Sequence, residues 1–212
     1  IRGAIKLLKE NDANIELSVN RFKNEMFVLA KEKSGLSDEI VQKQLDKSGH
    51  NIEQTLRSLF EEKYSLTERI FLQNKNKEKA LTVLLYAIQD TDNLKVDYWI
   101  LPEEFAKLNA SRYCFAIVYQ WTCYDDWEGF LPAACREDTP VVAKLIKEYL
   151  NMPQLAEALL KAYHICDVFY SVKRDCSEQQ DIDQYEVYYN NHYEELESKI
   201  YAYVEANIKQ FP

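Results

Sequence analysis

The sequence predicts an all-α fold, in which a short helical repeat region over residues 1–73 precedes an acidic helical bundle over 80–212. Three observations predict it. The 212 residues include only 4 Gly and 5 Pro, against a usual combined share of about 12%. The frequent turns of a sandwich or barrel and the fixed glycines of a dinucleotide or phosphate loop are therefore missing. Apolar residues, 47% of the chain, recur at helical rather than alternating spacing. The chain also repeats itself: Leu8, Asn14, Ile15, Glu16, Val19 and Phe22 align with Leu45, Asn51, Ile52, Glu53, Leu56 and Leu59 at an offset of 37, the mark of a stacked supersecondary unit.

In the complete copy of the repeat, a first helix is expected over 23–33, broken at Gly35. Ser37 as N-cap, with Asp38 and Glu39 in the first turn, opens a second helix that Gly49 ends. Asn51 with Gln54 three residues on is a variant capping box for a third helix, whose apolar stripe is Ile52, Leu56, Leu59 and Phe60. The segment SGLSDEIVQKQLDKSGHNIEQTLRSLF resembles the ubiquitin-associated (UBA)-like fold, which also occurs in proteins without ubiquitin such as elongation factor Ts; the resemblance covers residues 22–64, with 1–23 as the end of a preceding copy. In ubiquitin-binding members the contact surface maps here to Gly35, Leu36, Leu59 and Phe60. Those members favour Met-Gly-Phe or Met-Gly-Tyr where this chain has Ser34, Gly35 and Leu36, and Leu36, Leu59 and Phe60 serve first as the core of a small three-helix unit.

A polar stretch at 74–79 is the expected domain boundary. Residues 1–79 hold 15 Lys+Arg and 13 Asp+Glu, and residues 80–212 hold 11 and 22, so the formal charge of -9 divides into +2 and -11. Beyond the boundary, Leu81, Leu84, Leu85 and Ile88 form one stripe, and Phe105, Leu108, Tyr113, Ala116, Ile117, Gln120 and Trp121 suggest a long buried helix. YCFAIVYQW has the β-branched and aromatic content of a strand and is read as helix. Thr139 before Pro140 reads as an N-cap with proline at the first helical position, and Pro153 restarts the chain in the same way. The next helix carries Leu155, Leu159, Ala162, Cys166 and Phe169 on one face, and the last carries Tyr193, Leu196, Ile200, Tyr203 and Val204.

No run reaches the roughly 18 apolar residues of a membrane span, and a cytoplasmic protein is the default expectation. A chain that opens on Ile1 rather than Met is expected to be part of a longer or processed protein. Cys114, Cys123, Cys135, Cys166 and Cys176 are odd in number and form no C-x-x-C pair, so they read as reduced, mostly buried thiols. The three histidines, His50, His164 and His192, make no metal motif, and Asp181, Asp183 and Glu186 lack the glycine and distal glutamate of a calcium loop. Asp125, Asp126 and Glu128 are read as capping the positive end of a helix near Trp127 and Phe130. No catalytic residue, metal or cofactor is assigned.

The region 175–197 differs from the rest. It holds Asp175, Glu178, Asp181, Asp183, Glu186, Glu194, Glu195 and Glu197, with Tyr185, Tyr188, Tyr189 and Tyr193 interleaved. As a helix it would carry about one negative charge per 4 Å, against about one per 3.4 Å along a strand of duplex DNA. A solvated acidic face is the plain alternative. The C-terminal part resembles a small bacterial family of helical domains whose named member is a DNA-mimic protein, an acidic dimer that occupies the DNA-binding surface of a transcription factor. The likeness rests on Trp127, Gly129 and Phe130 in DDWEGFLPAA, on the helix 155–169, and on DQYEVYYNNHYEELESKIYAYVEANIKQF; Glu128 stands where the family has its first glycine.

The expected function is that of a non-enzymatic interaction module whose carboxylates bind and block a basic nucleic-acid-binding protein, with Tyr188, Tyr189 and Tyr193 as aromatic anchors. Direct binding of nucleic acid by the acidic half, or of a membrane, is not expected. The alternatives are an immunity-type inhibitor of a basic toxin or nuclease, an enzyme with a pocket over 121–130, and self-association as a homodimer.

Overall fold

A computed structural model describes residues 15–92, 94, 105–171 and 179–212. The chain is all-α: among the described residues there are helices and no strand. It divides into two compact units between Ser65 and Leu66.

In the first unit, α1 (Ile15–Ser34), α2 (Asp38–Lys47) and α3 (Ile52–Lys63) pack pairwise against one another. Helix α1 is one continuous element where a start near residue 23 is expected, so the end of the first repeat copy and the start of the second merge. The earlier part of the first copy lies outside the described residues. Gly35 at φ +65 provides the left-handed turn after α1 that side chains disfavour. Asn51 caps α3 by accepting the Gln54 N–H at 3.1 Å, whereas Ser37 makes no side-chain capping bond. Met26, Ala30, Val41, Leu45 and Leu59 form the core, with Phe27, Leu36, Ile40, Ile52 and Leu56 packed on it.

The second unit contains α4 (Leu66–Gln73), α5 (Lys77–Thr91), α6 (Ala110–Glu128), α7 (Phe130–Ala134), α8 (Thr139–Tyr149), α9 (Pro153–Ser171), α10 (Gln179–Ala206) and a closing 3₁₀ turn (Ile208–Gln210). The boundary expected at 74–79 falls inside it, because Ile70 of α4 is part of its core; residues 74–76 form the α4–α5 turn and 77–79 begin α5. The stripe Leu81, Leu84, Leu85 and Ile88 is buried on α5, and Cys114 to Trp121 are buried on α6, so the strand-like YCFAIVYQW is the central helix of the unit. Its start moves to Ala110, leaving Phe105 and Leu108 ahead of it, because Asn109 accepts the Arg112 N–H at 2.9 Å. Asn76 caps α5 in the same way, at 2.9 Å from the Lys79 nitrogen.

Two expectations are corrected. Thr139 is the first residue of α8 rather than its cap; its hydroxyl donates to the Ala133 carbonyl at 2.9 Å and accepts from the Trp121 indole at 3.0 Å. Cys135 and Cys166 are joined in a disulfide with Cα atoms 5.2 Å apart, linking the turn after α7 to α9. The sequence gives no hint of that pairing because 31 positions separate the partners and only the packing of α9 on α7 brings them together. Cys114 and Cys123 remain free thiols, and burial pushes them up to about 12 and about 11 respectively. Cys176 lies outside the described residues, as does the Phe169 side chain.

The C-terminal residues are held on several sides. The Pro212 carbonyl accepts from the Thr67 N–H at 2.9 Å and from its hydroxyl at 3.0 Å. The Gln210 carbonyl accepts from Asn109 Nδ2 and Arg112 Nε, both at 2.8 Å. Phe211 packs edge-on against Phe115 at 5.8 Å.

Candidate functional site

Helix α6 sets up the site by where it stops. Gly129 at φ +92 donates its N–H to the Asp125 carbonyl at 2.8 Å and lets the chain turn, so that Phe130 drops into the core while Trp127 stays 70% exposed. Asp125, Asp126 and Glu128 therefore occupy the last turn of a 19-residue helix that has no basic residue there. They sit at its negative end, not at the positive end the sequence suggested, and the helix dipole disfavours their charge. Arg136 reaches the same end, with its guanidinium 4.6 Å from the Tyr124 ring, but it is paired with both oxygens of Asp138 at 2.8 and 2.7 Å.

Helix α10 brings a second set of carboxylates to this place. Its apolar stripe, Ile182, Tyr189, Leu196, Ile200 and Val204, is buried, and this fixes the rotation of the rest. At about 100° per residue, Asp183, Glu186, Glu194 and Glu197 fall on one flank within about 80° of arc. Glu195 and Tyr188 fall on the opposite flank. There Tyr188 stacks on His192 at 4.1 Å and, with Gln154, Glu157, Lys161 and Tyr185, borders a groove of about 480 Å³. The described part of the acidic run is thus split between two flanks rather than presented as a single charged line. Asp175 and Glu178, and the side chain of Asp181, lie outside the described residues.

Where the first flank meets α6, charge accumulates. Burial pushes the Asp125 carboxyl up to about 6, against a lowering contact from Tyr189, and Asp126 and Glu186 raise it further. Glu197 is also raised, first by partial burial and then by Glu78 and Asp126, with Lys77 of α5 opposing. Tyr193 donates to Asp126 Oδ2 at 2.8 Å, and Tyr119 donates to the Glu78 carbonyl at 3.0 Å while its hydroxyl lies 2.8 Å from that of Thr82. Burial raises the pKa of all three buried or half-buried tyrosines here, Tyr119, Tyr189 and Tyr193, so their hydroxyls stay protonated.

Of the sequence-predicted site residues, the structure brings Asp183, Glu186, Tyr193, Glu194 and Glu197 to one face and adds Glu78, Asp125 and Asp126. Tyr189 is core rather than surface anchor, edge-on to Trp121 at 5.5 Å and tilted against Phe130 at 5.3 Å. The Trp121 and Phe130 ends of the region 121–130 are filled by these rings: Trp121 is 1% exposed, and its indole N–H is satisfied by the Ala133 carbonyl at 3.1 Å as well as by Thr139. His164 is exposed on α9, away from buried Cys166. In the first unit Leu59 is fully buried, Leu36 packs on the same core, and the Phe60 ring is tilted against that of Tyr64 with centroids 5.0 Å apart. Among the described residues no group of three His, Cys, Asp or Glu has the geometry to hold a metal ion, and no helix is long and apolar enough to cross a membrane.

The chain belongs to the family described as the YfbN C-terminal domain, which matches residues 65–209 and so coincides with the second unit. It is also similar to the uncharacterized protein YfbN of Escherichia coli (strain K12), with 23% identity over 215 residues that cover 100% of this chain and 90% of that protein. No solved structure matches the chain.

Proposed function

We propose that this member of the YfbN C-terminal domain family is a non-enzymatic interaction module whose second unit binds a basic surface on a protein partner. The observation that carries the reading is the face shared by α5, α6 and α10. Asp126 and Glu186 raise the proton affinity of Asp125 there, Asp126 also raises that of Glu197, and Trp127 stands exposed in the same turn of α6 as Asp126. Holding Asp125 and Glu197 ionised costs the free protein stability at neutral pH, and a cationic partner would relieve that cost. Complementary charge also speeds association and fixes register, and an exposed tryptophan is a favoured anchor at an interface centre.

In its sharper form the face stands in for nucleic-acid phosphates and blocks a basic nucleic-acid-binding protein or a nuclease, in keeping with the resemblance to the DNA-mimic family. The first unit, with its three helices, Gly35 turn and Asn51 cap, is read as UBA-like, with Leu36 and Leu59 spent on its own core. The protein acts in the cytoplasm on this reading.

The test is a pull-down from source-cell lysate with the intact chain and with Asp183, Glu186, Glu194 and Glu197 changed together to Asn or Gln, washed at low and high salt. A basic protein retained at low salt, released at high salt and absent from the variant supports the proposal, and its identity separates a transcription factor from a nuclease or toxin. Identical partners with both forms would sink it. Self-association that persists at high salt would point to an apolar homodimer instead.

A further inference from the structure

The Cys135–Cys166 disulfide joins two unequal sites. Cys166 lies on the buried face of α9 and is 1% exposed, whereas Cys135 is half-buried in the turn that follows α7. A small thiol therefore reaches the bridge from the Cys135 side. Helix α7 has five residues and is too short to hold itself together. It is tied by Phe130 in the core at its start, by the Ala133 carbonyl that accepts from Trp121 and Thr139, and by the bridge at its end. Directly after the bridge comes Arg136, which pairs with Asp138 and lies over the Tyr124 ring near the acidic end of α6. The free thiols Cys114 and Cys123 do not compete for the bridge, because burial keeps both protonated and a protonated thiol is a poor nucleophile.

We propose that the Cys135–Cys166 bridge is a redox-sensitive clamp on the turn 135–138, opened by a low-molecular-weight thiol such as glutathione and closed by the corresponding disulfide. The device is independent of what binds the acidic face. In opening, one thiolate attacks Cys135 Sγ and displaces Cys166; a second thiolate then attacks the sulfur of the first, leaving as the small-molecule disulfide and freeing Cys135. Each displaced protein thiolate takes up the proton that an attacking thiol gave up, so two small thiols are oxidised as the one bridge is reduced. Phe130 and the Ala133 carbonyl still hold the start of α7, and the opening is local: the turn that carries Arg136 loosens while the helices keep their packing. The proposed cytoplasmic setting is kept reducing, and disulfides in such compartments are as a rule transient and redox-sensing.

The full chain, incubated in mixtures running from glutathione disulfide to glutathione, then quenched in acid and alkylated, gives the state of each cysteine by mass. Cys135 and Cys166 are expected to pass from bridge to thiols, and back when the mixture is restored, with helicity by circular dichroism unchanged. Brief trypsin treatment reads the turn: cleavage after Arg136 is expected to rise about tenfold on reduction, and cleavage after Lys147 of α8 and Lys161 of α9 by no more than a factor of about two. In Cys166→Ser glutathione is expected to add to Cys135, whereas in Cys135→Ser the Cys166 thiol stays unmodified. Where a serine variant fails to fold, titration and proteolysis of the unaltered chain decide the matter. A bridge that survives in glutathione alone, or helicity lost on reduction with all three cleavage sites opening alike, would overturn the clamp in favour of a fixed structural link. Glutathione adding to Cys166 instead of Cys135 would overturn the route of opening.

Discussion

The first unit and the closing turn of α6 treat charge in opposite ways. In the first unit, Asp38 and Glu39 open α2 and Glu53 opens α3, while Lys47 and Lys63 close them, each on the favourable end of its helix dipole. Several of its surface charges are paired: Lys31 with Asp38, Arg21 with Glu25 at 3.1 Å, and Arg57 with Glu61 at 3.5 Å. Helix α6 ends on three acids and no base, facing further acids from α10 and α5. The end of α6, where three acids meet further acids, departs most from that arrangement, and this supports the proposed binding role, since departures from local consistency concentrate where a protein meets its ligand.

The contrast can be broken or sharpened by experiment. Trp121→Ala removes the ring that closes the core beneath the acidic face and the indole donor to Thr139 and Ala133; it is expected to cost about 4 kcal/mol, read as a fall in the denaturant midpoint of the second unit while helices α1 to α3 keep their transition. Reduction of the Cys135–Cys166 disulfide opens a loop of 31 positions and is expected to cost about 3.5 kcal/mol by loss of loop closure, seen when the same midpoint is measured with and without a reductant.

Asp125→Asn carries the opposite sign. Because the folded carboxyl titrates at about 6 against 3.8 for the unperturbed group, the folded state holds the proton more tightly, so the stabilisation Asp125 gives is complete below pH 4 and is lost as pH rises through 6. Solvent reaches this half-buried group, which keeps the effect at pH 7 to about 1 kcal/mol. The asparagine variant should therefore be more stable than the native chain at pH 7, with a shallower fall in stability between pH 4 and 7, a result that thermal melts across this range check directly. Smallest of all, Arg57→Ala in the first unit removes an exposed i,i+4 pair and is expected to cost about 0.3 kcal/mol; a larger loss would mean that the surface pairs of that unit do more than satisfy helix electrostatics.

Much of the fold was legible because helix signals are local. The scarcity of glycine, the stripes on α5, α9 and α10, and the asparagine caps need no knowledge of partners. What escaped needed three dimensions. The polar residues at 74–79 look like a linker until Ile70 is seen in the core beyond them. Asp125 and Asp126 were visible as an acidic pair, but whether Gly129 closes one helix or opens the next decides which dipole end they meet. The run 175–197 was visible as charge, yet its division into two flanks depends on which side of α10 is buried, and Tyr189 there reads as an interface tyrosine in sequence and proves to be core.

The hold on the C-terminal residues sets an order of events. The Thr67 hydroxyl bonds to a carbonyl 145 positions away, and Phe211 completes the packing around Phe115, so the second unit cannot seal until its last residues are free of the ribosome. Among the described residues the core of the first unit is drawn from Met26 to Leu59, so it can form while the rest is still being made, because local contacts assemble before non-local ones. During synthesis the chain therefore passes through a stage in which a finished three-helix unit leads an unsealed acidic one, and α4 and α6 wait with their apolar faces open for residues 210–212 to arrive.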